Sequence, residues 1–424
     1  MITSSRITPA QMALLGVGWL GIQFFWGFYG ATMPLFLNGF TDSKFAISLA
    51  MSLAGVSGCT VPPIAGYLSD RTATRFGRRR PFVFIGMLGS FFCLLALPHV
   101  TVFWVVVLVS ALMYFAVDLA MTPYWSLVPD ITPPQQRSAV SGVMSLLGSL
   151  GLTVFYYLSS QLWDAHPNGV FYLVATVSLG TVLAALRFLR EPTGPYEPAP
   201  KRAGTLKYLK SVTQEANALM FFTAQSFWWF GFWLIQPFLT LFTTEMLGVS
   251  EGEAHYVPMA ASLGMMVFAL PTGMLGDRVD RKKLLSLIIV LWAVAEMLLG
   301  FSQDLTHALI GAAVIGIPLA AAMGPAYAYM LDLIPAERTA EFVGFHIISM
   351  AAPQIFGPLI GGKMIDAFGY RPLFPMAAAM TLLGLILLQF TRKRCSRLTN
   401  RKKSCQNTIY PTECLTEELR HHVY

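Results

Sequence analysis

Three ionisable side chains occur inside long apolar stretches of the sequence, where charge is expensive. Asp118 lies in "MYFAVDLAMTP", Glu296 in "WAVAEMLLG" and His346 in "EFVGFHIISM". An ionisable group within a membrane-spanning helix usually belongs to a proton or solute pathway. Asp118 lies about ten residues before the end of its apolar run, and a rise of 1.5 Å per residue would put it about 15 Å deep. That depth is close to the midplane of a bilayer.

Each of these groups has two explanations. Asp118 can bind and release a proton or contact a solute, or it can be a protonated carboxyl bonded to a neighbouring helix. His346 can relay a proton, and a structural hydrogen bond is the alternative. For Glu296, a helix–helix contact or snorkelling towards the membrane surface is the preferred interpretation. We expect Asp118 and His346 to bind and release protons in a coupling role, with Asp118 as the leading proton site.

The composition predicts an all-α membrane protein. Of the 424 residues, 55% are hydrophobic and 12% are charged, whereas about 25% of residues are charged in a typical soluble domain. Apolar runs of about 20 residues, the length needed to cross a bilayer, recur from end to end. The first run is too long for the core of a signal peptide, so we expect it to be a retained span.

Apolar runs between turn signals and charges predict twelve membrane-spanning helices. Their predicted bounds are 11–39, 45–68, 81–99, 102–128, 138–163, 168–189, 217–245, 253–275, 283–302, 305–331, 339–366 and 372–391. A Pro-, Gly- and Lys-rich segment separates the sixth from the seventh. The predicted domains are a six-helix bundle over 1–190, a cytoplasmic linker over 191–211, a second six-helix bundle over 212–392 and a cytoplasmic tail over 393–424.

Positive charge collects in alternate connections. "GYLSDRTATRFGRRRP" (Gly66–Pro81) holds five arginines, and further basic residues occur at Arg137, in "RVDRKK" and in the tail. The connections on the opposite side are acidic or neutral, as in "EMLGVSEGEAH". The positive-inside rule therefore places both termini and the arginine loop in the cytoplasm. The net charge of +7 is a topology signal and does not indicate nucleic-acid binding.

The second half of the sequence repeats the first. "GYLSDR" returns as "GMLGDR" (Gly273–Arg278), "TPYWSLVPDITPP" as "GPAYAYMLDLIPA", and "IQFFWGFYGATMPLF" as "AQSFWWFGFWLIQPF". The spacing of these echoes lies between 202 and 207 residues. Repeated halves around a central site are typical of alternating-access transporters, so the pattern predicts two pseudo-symmetric six-helix bundles.

With these repeats, residues 10–392 resemble the major facilitator superfamily of transporters. "GYLSDR…GRRR" resembles the loop of that superfamily between spans two and three, and "GMLGDRVDRKKLL" the loop between spans eight and nine. The resemblance implies the major facilitator fold, in which two bundles rock about a midplane site while these loops latch the cytoplasmic face.

A narrower resemblance also exists. "SDRTATRFGRRRPF" and "GIQFFWGF" resemble the sucrose-type branch of the glycoside–pentoside–hexuronide:cation symporters, and "PYWSLVPDIT" resembles the end of span four in melibiose-type members. In those members, a tryptophan at the end of span four stacks on the sugar. Melibiose-type members hold sodium with acidic residues in spans one and two, and the interiors of those predicted spans contain no Asp or Glu here. The resemblance therefore implies sugar transport without sodium coupling.

By the same resemblance, residues at the cytoplasmic ends of the spans form a gate. Asp70 and Asp277 each follow a glycine by four positions, and such a carboxylate can cap a helix and pair with arginine. Gly66 and Gly273 would allow close helix contact, and a simple topology signal is the alternative. The predicted gating residues are Gly66, Asp70, Arg71, Gly77, Arg78, Asp130, Arg137, Gly273, Asp277, Arg278, Arg281, Asp332 and Arg338.

Aromatic and amide side chains suggest a neutral polar solute, since sugar rings pack on aromatic faces and amides bond hydroxyl groups. The alternative is that these rings are ordinary membrane-helix residues. The predicted substrate-binding residues are Gln23, Trp26, Trp125, Gln225, Trp228, Tyr327 and Gln354.

The sequence thus predicts a transporter of a neutral sugar or glycoside, driven by proton symport, and not an enzyme. Export of amphipathic compounds is the alternative function. No CxxC pair, nucleotide loop, HExxH or GxSxG motif occurs, so we expect no metal, cofactor or catalytic residue. The expected partners are the solute, protons and lipid, without nucleic acid. We expect a monomer in a bacterial inner membrane.

Overall fold

The computed structural model describes residues 7–72, 74–189, 215–334 and 339–391, and within these ranges all regular structure is helical. The predicted linker and tail, together with Arg338, lie outside the described residues. The first six spans comprise Pro9–Asn38, Lys44–Arg71, Arg80–His99, Phe103–Ile131, Arg137–Leu162 and Pro167–Phe188. The second six comprise Ala216–Leu247, Glu251–Arg278, Arg281–Gly300, Leu305–Leu333, Thr339–Phe368 and Leu373–Gln389. We number them spans 1–12.

Ten of these segments are long and apolar enough to cross a membrane by length and composition. The other two are span 11, a helix of 30 residues, and span 12, a shorter apolar helix of 17 residues. Every predicted span therefore coincides with helical structure, and the all-α fold with two six-helix bundles is confirmed.

Spans 1 and 7 are interrupted at corresponding places. In span 1, the α-helix Pro9–Gly27 gives way to a π-helical turn, Phe28–Thr32, before Met33–Asn38. In span 7, a 3₁₀ turn, Gln236–Phe238, separates Ala216–Ile235 from Leu239–Leu247. Pro34 lies just after the turn in span 1, and Pro237 lies within the turn in span 7. Proline disturbs a regular helix at such places because it lacks the N–H that would continue the hydrogen-bond pattern. Broken helices in paired positions are a feature of transporter binding sites.

The two bundles meet along spans 2 and 11 and along spans 5 and 8. A glycine makes the first contact possible: a Cβ built on Gly55 would lie 2.7 Å from the backbone nitrogen of Ile355 in span 11. That distance is too short for a real side chain, so glycine allows the two helix backbones to approach closely.

The two ends of the molecule differ in how the halves touch. We call the end with connections 72–79 and 279–280 the basic side, and the end with connections 39–43, 163–166, 248–250 and 369–372 the far side. Towards the far side one hydrophobic core runs through both halves, for example from Phe28 to Phe238. Towards the basic side each half has a core of its own, around Tyr124 in the first and Tyr329 in the second. The molecule is therefore closed at the far side.

Candidate functional site

A buried polar cluster lies at the centre of the molecule, on spans 1, 2, 4 and 11. Asp118 on span 4 is 2% exposed, and its Oδ2 accepts a hydrogen bond of 2.6 Å from Ser57 Oγ on span 2. Tyr114 lies one helical turn away on the same span. Among the described residues, neither Asp118 Oδ1 nor the Tyr114 hydroxyl has a hydrogen-bond partner. Buried polar atoms are almost always paired. We therefore expect these two atoms to be partners for a proton, a water molecule or a solute.

Tyr29 connects this cluster to the second half. Its ring packs edge-on against Tyr114 at 5.4 Å between centroids, and its hydroxyl donates to Met51 O at 3.0 Å. Gln354 of span 11 donates to the Tyr29 hydroxyl at 3.2 Å. Trp233 of span 7 completes the contact, with its ring centroid 6.2 Å from that of Tyr29. A carboxyl group, two phenols, an amide and an indole therefore converge between the halves.

The irregular turns of spans 1 and 7 position these side chains. Tyr29 belongs to the π-helical turn, and Trp233 precedes the 3₁₀ turn of span 7. The two broken regions are in contact, since Thr240, two residues beyond the span 7 turn, donates from its Oγ1 to Ala31 O at 2.9 Å. A Cβ on Gly30 would collide with Gln236 Nε2. The centre of the site is thus formed where two broken helices cross at the interface between the halves.

A second polar cluster lies within the second half. His346 Nδ1 is 3.0 Å from Gln225 Oε1, and the Tyr327 ring packs edge-on against the imidazole at 5.4 Å. Gln225 is fully buried, and its Nε2 has no partner among the described residues. Three of the predicted site residues therefore lie together, and a free amide donor accompanies them.

The other predicted aromatic and amide residues are more scattered. Trp26 packs edge-on against Tyr29 at 5.5 Å and so borders the central cluster. Trp125 packs on Trp19 at 4.7 Å and is 39% exposed, while Gln23 lies beside Gly148 of span 5. Trp228 is buried among aromatic rings in the core of the second half. A role in solute binding stays a prediction for each of these residues.

Glu296 has the contact that the sequence favoured for it. It is 1% exposed, and Thr381 of span 12 donates to its two carboxylate oxygens at 3.0 and 3.3 Å. Span 9 and span 12 belong to the same half. Glu296 is therefore a buried carboxyl group in a helix–helix contact, which distinguishes it from Asp118 with its unpaired oxygen.

The basic side carries an ion-pair network in each half. Asp130 at the end of span 4 accepts from Arg78 Nη2 at 2.6 Å and from Arg79 Nε at 3.2 Å. Asp70 at the end of span 2 pairs with Arg79 at 2.6 Å. In the second half, Arg281 Nη1 donates to Asp332 at 2.8 Å. Each described pair lies within one half.

The remaining predicted gating residues have varied surroundings. Gly77 has φ 107°, a backbone conformation that favours glycine. Arg137 donates to the carbonyl groups that end span 4, and Arg71 lies 4.1 Å over the Tyr67 ring. A Cβ built on Gly66 would lie 3.9 Å from Thr122 Cγ2, which is an ordinary van der Waals distance. The helix contact at Gly66 is therefore not especially tight.

Two predicted gating residues of the second half cannot be related to a contact. Among the described residues, nothing lies within 4 Å of a Cβ built on Gly273, so this glycine makes no close helix contact here. Arg278 is exposed at the end of span 8. The side chain of Asp277 and all of Arg338 lie outside the described residues. Their gating roles stay predictions.

Polar contacts at the far side were not predicted from the sequence. Lys44 is 7% exposed, and its Nζ lies 2.6 Å from both Asn38 Oδ1 and Glu245 Oε1. Tyr370 donates to Glu245 Oε2 at 3.0 Å; burial, together with the nearby Glu245 carboxylate, raises the pKa of the Tyr370 hydroxyl. Lys44 is the signal that could have revealed this cluster, because it is a basic residue at the start of a span on the side that the topology rule leaves acidic or neutral.

The sequence predicted only part of the central cluster. Ser57, Tyr29 and Tyr114 were not predicted, because they carry no charge and do not stand out within apolar helices.

Among the described residues, no three His, Cys, Asp or Glu side chains are grouped so that they could hold a metal ion. The free cysteines of this part of the chain, Cys59 and Cys93, lie within spans 2 and 3.

Comparison with curated proteins finds relatives over part of the chain. Multidrug resistance protein MdtG of Proteus mirabilis is 31% identical over 165 residues, which cover 38% of this chain and 40% of that protein. Tetracycline resistance protein, class H, of Pasteurella multocida is 29% identical over 187 residues, 42% of this chain and 46% of that protein. Proton-associated sugar transporter A of Homo sapiens is 30% identical over 210 residues, 43% of this chain and 28% of that protein. The matches thus span less than half the length of these relatives.

Solved structures share the fold at low identity. The nucleoside transporter NupG superposes with a TM-score of 0.76 at 15% identity, covering 90% of this chain and all of that chain. A bacterial homologue of the lysosomal transporter Spinster, in an inward-facing and occupied conformation, gives 0.71, also at 15% identity, over 90% of this chain and 96% of that chain. A family model described as Major Facilitator Superfamily matches residues 15–246 and 221–421. Two bundles of six helices, a polar cluster between them and this match over nearly the whole sequence lead to one conclusion: the chain is an integral membrane transporter that belongs to the Major Facilitator Superfamily.

Proposed function

We propose that the protein moves a neutral polar solute, a sugar or glycoside, together with protons. The observation that carries this proposal is the environment of Asp118. One of its carboxyl oxygens is held by Ser57, and the other is buried without a described partner beside the Tyr114 hydroxyl. A group of this kind can gain and lose a proton while its position stays fixed.

The position of Asp118 links proton binding to solute binding. When Oδ1 carries a proton, it can donate a hydrogen bond to a solute hydroxyl. Protonation also removes a negative charge that is costly inside a membrane. The halves then change access most readily with both proton and solute bound. Such mutual dependence of two ligands is the thermodynamic basis of symport.

The chemistry of the central cluster suits a neutral polyol. Tyr29, Tyr114, Trp233 and Trp26 offer ring faces for C–H groups, and Gln354 offers an amide for a hydroxyl. Asp118 is the one charged side chain of this cluster. The name of the human relative, a proton-associated sugar transporter, and the resemblance of "GIQFFWGF" to sucrose-type symporters support the same solute class.

We place the protein in a bacterial inner membrane, with the basic side and both termini in the cytoplasm. The charge of the 72–79 connection supports this orientation through the positive-inside rule, and bacterial relatives support the membrane. In this orientation the conformation described above is closed to the outside. The protein works as a monomer, with 1–190 and 212–392 as the two moving bundles.

Export of amphipathic compounds is the second candidate function. Two of the relatives reported above are named for drug resistance, and the rings around Tyr29 would also accommodate an apolar solute. In an exporter, Asp118 would exchange its proton for the outgoing compound. The two functions differ in the direction of solute flux relative to the proton gradient.

Purified protein in proteoliposomes with an imposed inward proton gradient separates the two functions. We expect protonophore-sensitive accumulation of radiolabelled sucrose, maltose or a monosaccharide. Asp118→Asn should abolish this accumulation while leaving solute exchange across the membrane partly intact. Glu296→Gln is the matched control, because it also removes a buried carboxyl group but one held by Thr381 within one half. Accumulation by Asp118→Asn at the wild-type level would contradict the proposal.

If none of the sugars is taken up, export of amphipathic compounds becomes the favoured function. The same vesicles would then be loaded with a fluorescent amphipathic cation, and proton-dependent loss of that compound would be measured. Equal loss of transport in Asp118→Asn and Glu296→Gln would indicate that both groups are structural.

A further inference from the structure

A carboxylate of the second half caps a helix of the first half. Asp366, at the far end of span 11, accepts hydrogen bonds from the backbone nitrogens of Lys44 at 2.7 Å and Phe45 at 3.0 Å, which begin span 2. It also accepts from Ser43 Oγ at 2.8 Å. The first N–H groups of a helix have no partner within the helix and carry partial positive charge, so a carboxylate there is favourable.

The reciprocal contact exists on the other side of the interface. Asp164, at the far end of span 5, accepts from the backbone nitrogen of Gly252 at 2.8 Å and from Ser250 Oγ at 2.7 Å. Ser250 and Gly252 lie at the start of span 8. Here a carboxylate of the first half caps a helix of the second half.

The two contacts are related by the internal repeat. Asp366 lies 202 positions after Asp164, each is followed by alanine, and Ser250 lies 207 positions after Ser43. These are the spacings of the other sequence echoes. Each serine also accepts from a backbone nitrogen of its own helix, Ala46 in one case and Glu253 in the other. Each serine hydroxyl therefore joins its own helix start to the aspartate of the opposite half.

We propose that Asp164 and Asp366 are a pair of gating residues that hold the far side closed, and that both contacts break each time the far side opens. The aspartate and the helix start lie on different halves in both cases, so separation of the halves must part them. Two equivalent contacts on opposite sides of the interface resist rotation of one half against the other more effectively than one contact could.

A second interaction accompanies each contact and leads from the same helix start. Next to Asp366, Lys44 pairs with Glu245 of span 7 at 2.6 Å. Next to Asp164, Glu251 accepts from Trp163 Nε1 at 2.6 Å. Both of these also cross between the halves. In contrast, the described ion pairs of the basic side, such as Arg281 with Asp332, stay within one half. The far-side residues thus carry the polar closure of this conformation.

The proposal rests on the transporter fold and does not depend on the solute, so it is tested by distance. Spin labels would be attached at Asn168→Cys and Arg371→Cys, exposed far-side positions in the first and second half, after replacement of the five native cysteines by serine. Double electron–electron resonance in liposomes then reports the far-side separation and the populations of the closed and open forms.

We expect Asp164→Ala and Asp366→Ala each to raise the ratio of open to closed protein about fivefold, and the double variant about 25-fold, as for loss of a helix cap. Asp304→Ala is the matched control. Asp304 also caps a far-side helix, through His307 N at 2.9 Å, but that helix belongs to its own half. Its substitution should leave the distance distribution unchanged.

Asparagine variants guard against misfolding, because they keep one capping oxygen while they lose the charge and the second acceptor oxygen. Asp164→Asn and Asp366→Asn should shift the same ratio in the same direction by about twofold, since asparagine is itself a good cap. A double alanine or double asparagine variant with the distance distribution of Asp304→Ala would overturn the proposal. Failure of sugar uptake would not, because this measurement uses no solute.

Discussion

Arg281 donates a 2.8 Å hydrogen bond to Asp332 across a sequence separation of 51 residues, and the first half contains the same relationship between Arg79 and Asp130 at 3.2 Å. Arg281 lies 202 positions after Arg79, and Asp332 lies 202 positions after Asp130. The duplication therefore conserves a three-dimensional contact between the start of the third helix of each half and the end of the fourth. The two copies differ in burial, and this difference leads to the first prediction.

Asp130→Asn should destabilise the protein more than Asp332→Asn. Asp130 is the acceptor for two guanidinium groups, and the side chains of Arg78 and Arg79 are 14% and 8% exposed, against 31% for Arg281. Weakening the hydrogen bonds between Asp130 and these largely buried cations should cost about 2 kcal/mol, whereas a more exposed pair contributes below about 1 kcal/mol. Thermal unfolding of the two variants in detergent gives the comparison. An equal fall in melting temperature would contradict the assignment of Asp130 as the stronger contact.

The positions of the helices could be predicted from the sequence because membrane spans need long apolar runs. The predicted span 168–189 is found at Pro167–Phe188, and the predicted span 305–331 at Leu305–Leu333. The largest differences occur where a helix continues past the membrane core into a charged end, as in span 2, which reaches Arg71. Charge marks the approximate edge of a membrane, but a helix can extend beyond it.

The breaks within spans 1 and 7 could not be predicted in the same way. Pro34 and Pro237 indicate that a helix is disturbed, but the choice between a π-helical and a 3₁₀ turn depends on contacts across the interface. Thr240 bonds to Ala31 only because the two spans cross. Tyr29 is one tyrosine among fifteen in the sequence, and its role depends on Gln354, which lies 325 residues away.

Close packing of spans 2 and 11 gives the second prediction. Gly55→Ala should reduce the rate of transport at least about tenfold, since overpacking at a tight contact costs 1–3 kcal/mol. The added methyl group would lie 2.7 Å from a backbone atom of span 11, which cannot move aside as a side chain could.

Gly58→Ala is the control for this variant on the same helix. Its methyl group would lie 3.7 Å from Ala351, an ordinary van der Waals contact, and transport should change less than about twofold. Transport and far-side distance would be measured for both variants. Similar behaviour of the two alanine variants would show that close approach of these helices is not needed.

The ion pair between Lys44 and Glu245 gives the third prediction. Glu245→Gln leaves a largely buried ammonium group without its charged partner. Because Glu245 itself is 36% exposed, we expect a loss of about 2 kcal/mol of stability, below the cost of breaking a fully buried pair. Lys44→Met with Glu245→Gln removes the buried charge as well and should recover most of that loss. Melting temperatures of the two single variants and the double variant form the cycle. Additive losses would mean that the two side chains do not depend on each other.

Tyr29 gives the fourth prediction, because its hydroxyl is both donor and acceptor at the interface of the halves. Tyr29→Phe removes the bond to Met51 O and leaves the buried Gln354 amide without this acceptor. A buried polar group that loses its partner costs 1–3 kcal/mol, so the closed conformation should lose about that amount of stability. Gln354→Leu, which removes the amide itself, should cost less in the Tyr29→Phe background than in the wild type.

The comparison between stability and transport then separates a structural role from a role in solute binding. If Tyr29 and Gln354 only hold the halves together, Tyr29→Phe should lower the melting temperature without changing the solute concentration that gives half-maximal transport. If the hydroxyl also contacts the solute, that concentration should rise about fivefold or more, the value of one hydrogen bond of about 1 kcal/mol. We expect the second result, because the Tyr29 ring lies against Tyr114, whose own hydroxyl has no partner among the described residues. An unchanged half-maximal concentration would remove Tyr29 from the solute site and leave it as a contact between the halves.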